Sequence, residues 1–297
     1  MNVIFNGLSL SSIILLASLG LAITFGLMRV INMAHGEFMM IGAYTTFVIQ
    51  KLIQQNVSED AVDLGYFLSI FVAFAVTFLI GSLMEKLIVS RLYGREIDSL
   101  LATWGISLIL QQAARTLFGT QGVLVTTPKS LSGSIRIGAI SLSMTRLFII
   151  FLVALCLFLV WALMYHTNFG RQMRAVMQNR AMAQCMGINS RKIDNLTFSI
   201  GSGLAGIAGC SIALLGSIDS TVGQNYIVNT FMAVVLGGVG KLLGTVIGAF
   251  IIGFSSIGFE TITSSSIAKA IVLLVIILFL QKKPQGLFAV RSRALDE

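Results

Sequence analysis

Apolar runs of about twenty residues, the length that crosses a bilayer as a helix, recur along this chain with short polar segments between them. The first runs from about Gly7 to Met28 and ends at Arg29. A second begins in the mixed stretch RVINMAHGEFMMIGAYTTFVIQK and ends near Gln50; Tyr66 to Met84 and Leu100 to Phe118 follow. Gly119 to Ser143 lacks the apolar length to span and reads as a short hairpin or interfacial loop. Leu147–Tyr165, Leu196–Ile218, Tyr226–Gly240, Leu242–Phe259 and Ile267–Gln281 complete the series. The pattern predicts an all-α polytopic bundle of about 8–10 transmembrane helices, roughly nine crossings, as a single membrane domain over residues 1–297.

Charge orients the bundle. The longest polar stretch, His166 to Asn195, carries Arg171, Arg174, Arg180, Arg191 and Lys192 against Asp194 alone, so it stays cytoplasmic. EKLIVSRLYGRE after Met84, and Lys282-Lys283-Pro284 with Arg291 and Arg293, fall on the same side. The connector from Lys51 to Leu64, with Glu59, Asp60 and Asp63, lacks a basic excess and is placed outside, as is the N-terminus. Within the cytoplasmic loop, Arg174–Met186 reads as one short helix stopped by Gly187. A helical loop held against the membrane face by two spans is a docking element for a partner protein, here residues 166–195.

Composition agrees. Hydrophobic residues make up 56% of the chain, charged residues 11%, and mean hydropathy is +0.91; soluble domains carry roughly 25% charged residues. The net charge of +8 sits in short inter-span segments rather than a phosphate-tracking patch, which argues against nucleic acid. Cys156, Cys185 and Cys210 form no disulfide framework, and His35 and His166 have no second ligand at metal spacing. The first apolar run has no basic n-region or small-residue cleavage site and reads as a retained span.

Polar residues at membrane depth are the candidate chemistry. Asn32, His35 and Glu37 form the densest cluster, with two readings. In one they begin a helix, Asn32 capping it and His35 and Glu37 satisfying first-turn backbone groups. In the other they line a translocation path or gate. Gln111 is a path candidate, and Asn225 and Asn229, one turn apart, join it at the outer mouth. Arg115 and Lys269 read as snorkelling side chains. Small residues recur every four positions at Gly201, Ala205, Gly209 and at Gly240, Gly244, Gly248, which suits close helix packing in lipid. Ile41-Gly42-Ala43-Tyr44 is echoed by Ile247-Gly248-Ala249-Phe250, a weak sign of an internal repeat. No nucleophile has an orienting base, so the chain is not read as an enzyme. Gly237-Gly238-Val239-Gly240-Lys241 fails as a phosphate loop: Val235 stands where its first glycine belongs and Leu242 where Ser or Thr belongs. ATP hydrolysis, where it drives transport, belongs to another subunit.

INMAHGEFMMIGAY, the basic loop ending in CMGI, FMAVVLGGVGKLLGTVIGA and KKPQGLF together resemble the branched-chain amino acid type of ABC-importer permease, over nearly the whole chain. TFGLMRVINMAHGEFMMIGAYTTFV, RAVMQNRAMAQCMGI and QKKPQGLF look closest to the urea and short-chain amide permeases of that family. Gln178-Asn179 stands where amino-acid permeases carry an acidic residue, which favours urea; branched-chain or other amino-acid import is the alternative, and a passive channel for a small neutral solute the alternative of another class. The resemblance implies a bacterial cytoplasmic (inner) membrane location, a homologous second permease, two cytoplasmic ATPase subunits that use ATP and Mg, and an external substrate-binding protein. No cofactor is expected on this chain. The docking helix corresponds to Arg174–Gly187, and helical spacing puts Met182, Ala183 and Met186 in an ATPase groove, with Arg174, Gln178 and Arg180 at its rim beside Asn179.

Overall fold

The computed structural model describes residues 2–28, 30–56, 62–137 and 140–288. Arg29, Glu59, Asp60, Arg291 and Arg293, used above to orient the spans, lie outside the described residues. Nine long helices and two short ones are described: α1 (Asn2–Met28), α2 (His35–Asn56), α3 (Val62–Leu87), α4 (Glu96–Phe118), α5 (Met144–His166), α6 (Asn168–Gln178), α7 (Arg180–Cys185), α8 (Ser190–Ala213), α9 (Val222–Gly237), α10 (Leu242–Glu260) and α11 (Ser265–Lys282). Six of them, α1, α3, α5, α8, α10 and α11, are long and apolar enough to cross a membrane. The other three long helices, α2, α4 and α9, fall short of that measure and carry the polar candidates.

The centre of the bundle is α8, whose residues Gly201 to Ala213 are all buried. It begins at Ser190, earlier than the apolar run predicts, because Asn189 caps it by accepting a hydrogen bond from the Lys192 N–H at 3.2 Å. Asp194 is therefore a buried helical residue, not part of an exposed loop. Hydroxyls at this depth satisfy themselves locally. Thr197, Ser199, Ser202 and Ser211 each donate to the carbonyl four residues back, at 2.7 to 3.2 Å.

Small residues let α8 meet its neighbours backbone to backbone. A Cβ on Gly42 of α2 would lie 2.1 Å from the Gly206 carbonyl oxygen, and one on Gly209 would lie 1.9 Å from that of Met39. Gly201 faces Gly20 of α1, and Ala205 is fully buried. In the second ridge Gly244 packs on Gly237 and Gly248 on the Ala233 carbonyl, both across α9–α10. These contacts are intramolecular. Gly240 does not belong to that ridge: it lies in the turn before α10 with φ +83°, beside Met177 and Gly26.

The KKPQGLF block closes the C-terminal end of α9. The last carbonyls of a helix lack intrahelical partners; Leu287 N–H donates to the Leu236 carbonyl at 2.8 Å and Phe288 N–H to that of Gly237 at 3.3 Å. Between α4 and α5, β1 (Ser134–Ile137) and β2 (Ile140–Ser143) pair antiparallel, Ser134 opposite Ser143, as the hairpin the sequence suggests. The same segment is tied to the bundle by a Val123–Ile218 bridge, by the Gln50 amide on both backbone groups of Thr126, and by Asp63 accepting from the Lys129 and Ser130 N–H groups.

Candidate functional site

The polar residues of α2 and α4 meet in one seam. The break before α2 is a turn at Asn32, whose Oδ1 accepts from the Ala34 N–H at 3.0 Å; the helix begins only at His35, so Asn32 sits before the helix start rather than at its cap. Its neighbours do not serve the first turn with their side chains. His35 reaches α1, with Nε2 3.1 Å from the Ala17 carbonyl. The Glu37 side chain crosses to α4, where its Oε1 accepts from Ser107 Oγ and Gln111 Nε2, both at 2.8 Å. Gln111 also donates to Ser107 Oγ at 3.1 Å. One turn inward, Thr103 Oγ1 accepts from the Met33 N–H at 3.1 Å. At the other end Tyr44 stacks on Phe118 with ring centroids 4.2 Å apart. Arg115, expected to snorkel, donates from Nε to Ser220 Oγ at 2.8 Å.

All of Asn32, His35, Glu37 and Gln111 are buried, at 5% exposure or less. Yet Asn32 Nδ2, His35 Nδ1, Glu37 Oε2 and the Tyr44 hydroxyl have no protein partner. They are four of the six such buried atoms among the described residues, and all lie within residues 32–44. Buried polar groups are nearly always satisfied, so four such atoms on the segment from Asn32 to Tyr44 set it apart. Ile109, on the face of α4 turned away from Ser107 and Gln111, is 68% exposed. Asn229 is buried and Asn225 exposed on α9, and the structure does not bring either into the Glu37 network.

Sequence reasoning missed Thr103 and Ser107, although the signal was present. Thr103, Ser107, Gln111 and Arg115 recur every four residues, a continuous polar stripe on an otherwise apolar helix. Tyr44 was passed over because its ring reads as core.

The 166–195 loop is two helices, not the single helix expected over Arg174–Met186. Thr167 caps α6 through the Gly170 N–H, and Met173 and Val176 bury its inner face. The helix breaks at Asn179, whose backbone is extended (φ −153°, ψ 104°) and whose Oδ1 accepts from the Met182 N–H at 2.9 Å. Asn179 is thus the N-cap of α7. Gly187, at φ +82°, ends α7: its N–H donates to Gln184 and the Ile188 N–H to Ala183, both at 3.0 Å, a Schellman arrangement that only a left-handed residue closes readily.

This geometry redistributes the expected docking residues. Met182 and Met186 are 61% and 76% exposed and point away from the chain, with Gln178 also exposed. Ala183 is buried and packs inward, so it is no part of an outward groove. Arg174 and Arg180, both partly exposed, also make contacts within the chain. Arg174 folds back over the Tyr165 ring and donates to the Met164 carbonyl. Arg180 pairs with Asp194 and lies 5.2 Å from the Tyr93 ring. Tyr93 donates to Glu85 Oε1 at 2.5 Å; burial, together with that carboxylate, pushes its phenol well above the usual range, so it stays a donor.

Residues 3–280 match the family described as branched-chain amino acid transport system / permease component. The chain is 28% identical to the high-affinity branched-chain amino acid transport system permease protein LivH of Salmonella typhimurium over 292 residues, covering 95% of this chain and 93% of that protein. It is 27% identical to the corresponding protein BraD of Pseudomonas aeruginosa over 289 residues, with the same coverage. A probable branched-chain amino acid permease, LivH of Methanocaldococcus jannaschii, is 30% identical over 250 residues, covering 82% of this chain and 76% of that protein. With six helices among the described residues long and apolar enough to cross a membrane and a match of this extent, the protein is a multi-pass transport subunit of the cytoplasmic membrane rather than an enzyme, and it belongs to the branched-chain amino acid transport system permease family.

Proposed function

We propose that this chain supplies half of the translocation path of an ATP-driven importer for a small solute rich in N–H donors, with the α2–α4 seam as the part that solute meets. The observation that carries this is the unpartnered Oε2 of buried Glu37, an acceptor whose other oxygen is already fixed by Ser107 and Gln111. A carboxylate held by two neutral donors keeps its second oxygen aimed and available for an ammonium or amide N–H. Met182 and Met186, apolar and outward on a capped short helix, suit a groove on a cytoplasmic ATPase. A second permease, two ATPases and an external binding protein complete the assembly on this reading.

A branched-chain amino acid is the solute that the relatives' names support, and its ammonium group complements Glu37. Urea is the second reading, favoured by the sequence blocks around α2, the cytoplasmic loop and the C-terminus. The Gln178-Asn179 departure carries less weight than its sequence position implies, because Asn179 has a structural role as a helix cap, which an acidic residue also fills. Competition decides between them: the reconstituted assembly with its binding protein is loaded with labelled leucine or labelled urea, with and without ATP. Import of either that requires ATP supports the permease reading, and the solute that displaces the other names the substrate. Equal entry without ATP would replace this reading with a passive channel.

A further inference from the structure

The side chain of Arg180 is 38% exposed, yet its guanidinium is turned onto groups of its own chain. Asp194, one turn into α8, is fully buried, and Arg180 of α7 is the partner of its Oδ2; Oδ1 has none. The guanidinium also lies over the ring of Tyr93, in the α3–α4 connection. Tyr93 donates to Glu85 near the end of α3, and Asn195 Nδ2 donates to Glu85 Oε2 at 2.8 Å and to the Ser82 carbonyl at 3.0 Å. Three segments of the cytoplasmic end, α3, α8 and the α3–α4 connection, are therefore gathered on one side chain of the loop. Removing the partner of a carboxylate that is wholly out of water is strongly destabilising, since it strands the charge.

The connection between α7 and α8 is otherwise short and hinge-like. Gly187 holds a left-handed backbone, and beyond it only Gln184 donating to Ser190 Oγ at 2.7 Å ties the C-terminal end of α7 to α8 by side chains. Arg180 fixes the other end of α7. From α8 outward, backbone touches backbone: Gly201 against Gly20 of α1, Gly206 against Gly42 and Gly209 against Met39 of α2. At Gly42 and Gly209 the nearest atoms across the α2–α8 contact are all backbone, which no change of rotamer moves aside. A displacement of α8 is passed on to the helix that carries Glu37.

We propose that the Arg180–Asp194 contact, braced by Tyr93 and Glu85, is the pin through which movement of α7 drives α8 and thereby the α2–α4 seam. Arg180 is on this account a positioning residue for transport and not a contact for the partner. The inference rests on the importer reading above and goes beyond it by naming where motion crosses from loop to bundle.

The test uses the whole assembly in proteoliposomes and reads the number of solute molecules imported per ATP hydrolysed. For Arg180→Gln, co-purification of the ATPase and ATP hydrolysis persist while imported solute per ATP falls at least about fivefold, the lower end of coupling between sites. Arg180→Lys restores part of that ratio because the charge on Asp194 is again met. Tyr93→Leu lowers the ratio in the same direction while leaving the ion pair in place. An unchanged ratio in Arg180→Gln overturns the pin, and so does a parallel loss of uptake and hydrolysis. Loss of the assembled complex in both Arg180 variants also overturns it, since the residue then serves folding alone. Absence of ATP-driven import by the unmodified complex is a separate result and removes the importer reading itself.

Discussion

Replacing Gly42 by alanine adds one carbon to the contact between α2 and α8, and the structure fixes what that carbon meets. It would lie 2.1 Å from the Gly206 carbonyl oxygen, 2.6 Å from its Cα and 2.7 Å from its carbonyl carbon. Ordinary contact begins at 3.4 Å, so the two helices must part by about 1.3 Å, and all three obstacles are backbone that no rotamer moves aside. Overpacking of this kind costs roughly 1–3 kcal/mol, against a helix-propensity gain of about 1 kcal/mol for alanine over glycine. Gly105 of α4 is the control: no atom lies within 4 Å of its added Cβ, so Gly105→Ala shows the propensity gain alone. Thermal unfolding of the detergent-solubilised protein should place Gly42→Ala below the parent and Gly105→Ala at or above it. Uptake by Gly42→Ala should fall as well, because α2 carries Glu37. A Gly42→Ala midpoint at or above the parent would refute the packing argument and with it the rigid link between α8 and the seam.

Further outcomes follow from the same geometry. Glu37→Gln keeps a side chain of the same shape and loses the charge; uptake should drop about 10- to 100-fold, as for loss of a hydrogen bond to a charged group, while assembly is unchanged, and normal uptake would remove Glu37 from the path. Asn179→Ala removes the α7 cap, a loss of about 1 kcal/mol, and should weaken ATPase co-purification; Asn179→Asp should restore it without altering solute preference, whereas a changed preference would return Asn179 to a specificity role. Met182→Glu puts a charge on the outward face of α7 and should abolish ATPase association with membrane insertion intact. The same experiment at Ala183 is not equivalent, because Ala183→Asp buries a carboxylate within the loop.

Long-period features of this fold were legible in the sequence and short-range pairings were not. Apolar runs gave the nine long helices to within a few residues, since lipid imposes both length and continuity. The hairpin between α4 and α5 and the small-residue ridges were equally visible. The inward aim of Arg180 was not: a basic residue in a polar loop looks solvated until Asp194 is seen to be inside a helix, and that required knowing that Asn189 starts α8 early. Gly240 shows the converse error, a periodic glycine that belongs to a turn. At the seam, Glu37 and Gln111 were both noticed, but their pairing spans more than seventy positions of sequence and only the fold brings them together.

Access to the seam is the most direct measure of the central claim. Ser107, buried at 2% exposure between Glu37 and Gln111, is replaced by cysteine in a Cys185→Ser background, which removes the one exposed native thiol, with Ile109→Cys on the opposite face of α4 as control. In the assembled importer, a small water-soluble thiol reagent should modify Ser107→Cys when ATP is turned over, stop uptake, and be slowed by excess solute, while the reaction of Ile109→Cys responds neither to ATP nor to solute. Failure to modify Ser107→Cys in any state of the ATP cycle, with transport continuing, would contradict the assignment of this seam as the path.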